Sequence, residues 1–192
     1  MAPREIIRLL IEFPWIVFVI YWIARAFNTR ATRENEPLSS RLGVLIVEVL
    51  GYLLIFNGYT GIGFLGMLVL PRTFAGAILG IVFTWAGIGL AIWARHHLAE
   101  NWSARVTIKE DHQLIRTGPY THLRHPIYSG LILATLGSVV AIDKWRCVLG
   151  LCLVVGGYWF KARKEEAMLS QQFGESFGEH KRLTGFLFPR FR

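Results

Sequence analysis

IYSGLILATLGSVVAIDKWRCVLGLCLVVGGYWF, residues 127–160, decides the fold. Two apolar runs, Ile127 to Ile142 and Trp145 to Phe160, are separated only by Asp143 and Lys144. At the helical rise each run spans about 24 Å, slightly less than the ~30 Å hydrocarbon core of a bilayer. Their length and the two-residue break predict a tight helical hairpin in a membrane.

Outward from that hairpin the chain keeps the same character. It has 192 residues, 53% of them hydrophobic and only 18% charged, more apolar than a soluble domain of this size requires. The formal charge of +8 comes from basic residues between and after apolar segments, not from a stripe along a soluble helix, which argues against nucleic acid as a partner. Cys147 and Cys152 are five apart in one apolar run, a spacing that a helix does not bring into disulfide geometry, so both are expected to be buried packing residues. The first apolar segment exceeds the core of a signal peptide and lacks a small-residue cleavage site, so it is expected to be retained.

Three further helices are expected upstream. The first runs from Ile6 to Ala26, with Pro14 inside and Trp15 and Trp22 as interface anchors; the second from Leu42 to Phe56; the third from Phe74 to Arg95. A glycine-rich passage closed by Pro71 separates the second and third. It looks like a nucleotide loop, but no strand precedes it, so packing is the better reading. The expected fold is therefore all-α: an integral membrane protein of about five transmembrane helices. Residues 1–97 would hold the first three helices, and residues 98–192 a catalytic region of polar segment, helical hairpin and tail. Sixteen of the 21 lysines and arginines lie at the end of the first helix or in the loop after it, in the stretch Arg95 to Arg124, or in the tail from Lys161. The positive-inside rule puts these regions together in the cytoplasm. The cell (inner) membrane, crossed several times, is the expected location.

Polar chemistry gathers at the hairpin's two open ends. RTGPYTHLRHPIYSG, residues 116–130, places Pro126 at the first position of a helix with His125 as its cap. That helix start favours a carboxylate, and Tyr120 and Tyr128 offer aromatic faces to a planar or cationic ligand. A merely capped and anchored helix fits the same residues. Lys161 and Glu165, four apart, read equally as a snorkelling pair or a pocket lining. The hairpin would bring them opposite His125 and Tyr128. The histidine pairs 96/97 and 122/125 lack further ligands at metal spacing, so no metal is expected. Glu12 and Glu48 lie within apolar helices, where Glu12 can snorkel and Glu48 is expected to pair inside the bundle.

NWSARVTIKEDHQLIRTGPYTHLRHPIYSG, followed by the hairpin and KARKEEAMLSQQFGESFGEHKRLTGFLFP, resembles the isoprenylcysteine carboxyl methyltransferases from Asn101 to Pro189. The resemblance implies an all-helical membrane enzyme with S-adenosyl-L-methionine in a cytoplasmic pocket closed by the tail. It assigns cofactor contacts to His112, Gln113, Leu114, Ile115, Tyr120, His125, Pro126, Ile127, Tyr128 and Glu165. The acceptor carboxylate falls to Lys161, where the family usually has arginine; Arg163 is a neighbouring substitute. The implied acceptor is an isoprenylcysteine or another lipophilic carboxylate drawn from the membrane, and no oligomeric state follows. A phospholipid amine or small thiol is an alternative acceptor. A nicotinamide-dependent membrane reductase and a non-enzymatic scaffold are further readings.

Overall fold

The computed structural model describes residues 3–26, 32–35, 38–58, 61–71, 73–98, 107–109 and 114–190. Five long helices carry the chain: α1 (Pro3–Ala26), α2 (Leu38–Phe56), α3 (Phe74–Leu98), α4 (Pro126–Ile142) and α5 (Trp145–Leu183). The all-α expectation holds for the described residues, with one small addition. β1 (Thr32–Asn35) pairs antiparallel with β2 (Thr107–Lys109), joining the segment after α1 to the segment after α3. These segments therefore lie at one end of the bundle, where Arg95 also donates to the Arg25 carbonyl at 2.9 Å.

Arg4–Arg25 and Phe74–Leu98 are long and apolar enough to cross a membrane, whereas Leu42–Phe56 and Pro126–Ile142 are shorter apolar helices. The outward side of α1 is a helical stripe of exposed Leu9, Phe13, Ile16, Ile20 and Ile23. Such a stripe facing outward is what lipid, not water, selects.

The inward faces are small and polar. Trp15 and Trp22, expected as interface anchors, both pack against the central core, and Trp15 Nε1 donates to Ser138 Oγ of α4 at 3.0 Å. Buried Thr84 and Ser138 donate to backbone carbonyls one turn earlier, which satisfies hydroxyls in a dry interior.

The hairpin turns through Asp143 in the left-handed conformation, with its amide bonded to Val139 O at 2.8 Å. Its two arms nevertheless make their closest packing elsewhere: α4 along α3, and α5 along α2. Gly87 of α3 and Gly130 of α4 face each other so closely that a Cβ at Gly87 would stand 2.3 Å from Ala134 N, and one at Gly130 2.6 Å from Gly87 O. Without a hydrophobic driving force between helices in lipid, such backbone contact supplies the dispersion that holds them. Cys147 is buried as expected, but Cys152 is exposed and both thiols are free.

The α5 helix continues well past Phe160, where the apolar run ends. It carries the polar tail to Leu183 and departs from helical geometry only at Gly174, φ 51°.

Replacing Gly87 by leucine is expected to lower stability by at least about 2 kcal/mol, since the added side chain must displace backbone. Gly89→Ala, with nothing within 4 Å of its added Cβ, is the matched control. Thermal melting in detergent should separate the two variants clearly.

Candidate active site

The start of α4 and the middle of α5 meet at the end of the bundle that carries the polar segments. Proline at N1 fixes the backbone entering α4, and the preceding Gly118–Thr121 turn buries Pro119 and Tyr120 beneath it. His125 occupies the cap position, yet its side chain makes no capping hydrogen bond. The ring instead turns toward α5. Its Nδ1 lies 3.3 Å from Glu165 Oε2, and its Nε2 3.5 Å from Glu166 Oε1.

Three rings form a column above these acids. The His125 and Tyr128 rings stack at 5.7 Å, and Tyr128 stacks on Tyr158 at 5.2 Å. Tyr128 Oη donates to Glu165 Oε1, while the Lys161 ammonium sits 5.5 Å from the Tyr128 ring centre. Lys161 thus faces the column, whereas Arg163, two positions on, is exposed and turned away from it. Tyr158 reaches back to Tyr52 of α2, with the hydroxyls 3.2 Å apart.

Of the residues expected from sequence, Tyr120, His125, Pro126 and Ile127 are buried. Tyr128, Lys161 and Glu165 are partly open beside them, and His125, Tyr128, Lys161 and Glu165 come together. Leu114 and Ile115 are half-buried, Ile115 against the core around Tyr120. His112 and Gln113 lie outside the described residues. Burial, followed by the Glu165 charge, pushes the Tyr120 phenol up, so it stays protonated.

Glu166 was missed in the sequence reading. Its Oε1 receives Arg124 Nε at 2.5 Å and its Oε2 faces Lys181 Nζ at 3.3 Å. Arg124 also donates to the Thr184 carbonyl, its amide bonds Gly185 O at 2.9 Å, and Ser129 Oγ donates to Leu187 O at 2.7 Å. These bonds lay residues 184–190 across the entrance of α4. Phe186 packs edge-on against His125 at 5.2 Å and Trp159 at 4.9 Å. Phe188 does remain exposed. The only signal for Glu166 in the sequence is its place beside Glu165, about 100° around the helix and so turned toward Arg124 and Lys181 at the edge of the ring column.

Exposure separates the two acids. The Glu165 side chain is 24% exposed and Glu166 8%, so the first can meet a ligand and the second is committed to the clamp. A hollow of about 930 Å³, lined in part by Arg4, Glu12, Phe74 and Arg146, lies at the other end of the bundle and shares no residue with this site.

Residues 78–171 match the isoprenylcysteine carboxyl methyltransferase (ICMT) family, a span that runs from within α3 through the ring column to Gln171. That match covers 94 of the 192 residues; it supports assignment to the family and suggests a membrane methyltransferase. Among curated proteins, nothing matches the chain.

The clamp has a signed dependence on pH. Burial lowers the His180 pKa, helped by Arg116 and Arg124, to about 4. His180 therefore contributes stability that is present above 6.5 and lost as pH falls toward 4. Burial alone would raise Glu166, but His125 and Arg124 outweigh it and hold it at about 2, so its contribution disappears between about 4.5 and 2. Burial likewise opposes the charged His125, and Glu165 and Glu166 overcome it, raising its pKa; that contribution is full below 6.5 and weakens as pH rises. Acidification from pH 6.5 to 4, where the His125 contribution is already full and that of His180 is lost, should thus loosen residues 175–190, seen as lower amide protection there after correction for the intrinsic exchange rate. His180→Gln should flatten the part of the change above pH 4.

Proposed function

We propose that the chain transfers the methyl group of S-adenosylmethionine to the carboxylate of a lipophilic acceptor, an isoprenylcysteine or a similar thioether acid. Residues 98–192 form the catalytic region. The chain crosses the cell's inner membrane several times, with the site at its cytoplasmic surface. The observation that carries this reading is the partly open Glu165 carboxylate beside the stacked His125, Tyr128 and Tyr158 rings. A carboxylate with aromatic faces suits a sulfonium cation, which is large, weakly hydrated and drawn to ring quadrupoles.

S-adenosylmethionine, held there by Glu165 and the ring column, would supply the methyl: an acceptor carboxylate oxygen would donate the pair that forms the O–C bond, and the pair of the broken C–S bond would leave on sulfur as neutral S-adenosylhomocysteine. A carboxylate is already ionised at neutral pH, so the protein need supply no general base. Its work is alignment and exclusion of water. Lys161 holds the acceptor carboxylate as a point charge, without the two-pronged grip of arginine. Glu165 attracts the sulfonium but not the neutral thioether, which favours release of the product. Phe186, pinned by the Arg124–Glu166 pair, shields the site from water. The acceptor's lipid tail enters from the bilayer while the cofactor arrives from the aqueous side.

S-adenosylhomocysteine is expected to raise the melting temperature of the detergent-solubilised protein by several degrees, and reduced nicotinamide to leave it unchanged. Glu165→Ala should abolish that shift. Lys161→Ala should keep it while lowering kcat/KM for the acceptor at least about tenfold, the loss of one charge-assisted hydrogen bond. With a labelled methyl donor, a base-labile product marks an ester and a base-stable one an amine or thioether. A shift with nicotinamide alone would overturn the reading.

A further inference from the structure

The hollow at the far end of the bundle takes no part in methyl transfer, yet its wall is built in a definite way. Arg4, Ile7, Arg8 and Ile11 of α1 line it at intervals of three and four, so one face of that helix is turned toward it over about 11 Å. Buried Ile11 and Ile55 form apolar wall, while Leu70 and Phe74, which also line it, are exposed. Exposed apolar side chains at the opening mean that it faces lipid, and a molecule reaches it from there.

The charges in the wall are unbalanced. Among the described residues, Arg4, Arg8, Lys144 and Arg146 stand against Glu12 and Asp143. Arg8 is neutralised by Glu12 at 2.7 Å, which leaves three cations to one acid. Arg146 is only 4% exposed. Its Nη1 donates to the Leu54 and Ile55 carbonyls at the end of α2, but its Nε is buried with no hydrogen-bond partner among the described residues. Capping α2 therefore uses part of a guanidinium whose remaining buried donor is costly to leave unmet. Asp143 is left similarly incomplete: its Oδ1 receives the Leu70 amide at 3.2 Å, and its Oδ2 is buried without a partner among the described residues. The unmet groups call for an anion with a hydrogen-bond donor beside it.

We propose that this hollow of about 930 Å³ binds one anionic phospholipid, at the membrane face opposite the methyl-transfer site. The phosphate lies among Arg4, Lys144 and Arg146, a headgroup hydroxyl donates to Asp143, and the first part of an acyl chain covers Ile7 and Ile11. A free phosphate satisfies the charges but leaves that apolar wall bare, so the lipid is the better occupant. Residues of all five helices line the hollow, and the ligand thus holds the native bundle together. The site is independent of the methyl acceptor.

The test uses the full chain in a neutral detergent with three probes: dioleoyl phosphatidylglycerol, dioleoyl phosphatidylcholine and sodium phosphate. Phosphatidylglycerol should raise the melting temperature by several degrees and appear as one adduct per chain in native mass spectrometry. Phosphatidylcholine, with the same tails but no net charge and no hydroxyl donor, should bind at least about tenfold more weakly, the effect of one charge-assisted hydrogen bond. Sodium phosphate at the same concentration should give no shift. The double variant Arg4→Gln/Lys144→Gln should weaken phosphatidylglycerol binding at least about tenfold and leave the S-adenosylhomocysteine shift unchanged. It spares Arg146, whose loss also uncaps α2. Equal shifts with the two lipids overturn anion recognition, and an equal shift with phosphate overturns the lipid as occupant. Unchanged phosphatidylglycerol binding in the double variant overturns the placement. Neither a shift nor a retained lipid adduct in wild type overturns the site altogether.

Discussion

The structure around the site depends on one buried carboxylate. Glu166 receives Arg124 from the entrance of α4 and Lys181 from the tail, and lies beside His125. Three segments distant in sequence are thereby referred to one point. A buried acid with so many cationic partners is strongly destabilising to break from one side, because the remaining charges stay desolvated. That commitment leaves Glu165 at liberty on the next helical face, so two adjacent glutamates do different work through the 100° that separates them.

The bundle supports this clamp with seams in which backbone touches backbone. Gly80 and Gly137 repeat, two turns on, the close approach of Gly87 and Gly130, so α4 is located along α3 by shape. Gly51 and Gly150 do the same for α2 and α5. Two helix pairs fixed independently leave a narrow meeting line between α4 and α5. That line carries the rings, the lysine and the acids.

Sequence periodicity and composition made much of this readable. The apolar runs gave helix positions to within a few residues, except for the end of α5, which continues as a polar helix beyond its apolar run. The hairpin brought His125 and Tyr128 opposite Glu165, since a two-residue turn admits few other arrangements. What escaped was direction within the helices. Trp15 and Trp22 look like interface residues by type, but a tryptophan that finds a partner for its N–H can equally well face inward, as Trp15 does on Ser138. Cys152 looks buried by hydropathy, yet in a membrane bundle hydropathy does not distinguish core from lipid-facing surface. Glu166 and Phe186 could not be assigned because their partners lie along a tail whose path is set by tertiary bonds to residues 122–129.

Gly174 gives this arrangement a mechanical character. Its backbone, at φ 51° and ψ −122°, interrupts α5 between the segment that bears Glu165 and the segment that bears Lys181. Upstream, the glycine seams leave α4 and the body of α5 little freedom to slide. Downstream, the cover is held by a few charged and backbone bonds at its far edge. The rigid part that aligns Lys161 and Glu165 and the part that carries Lys181 therefore meet at a single residue whose backbone lies outside helical geometry.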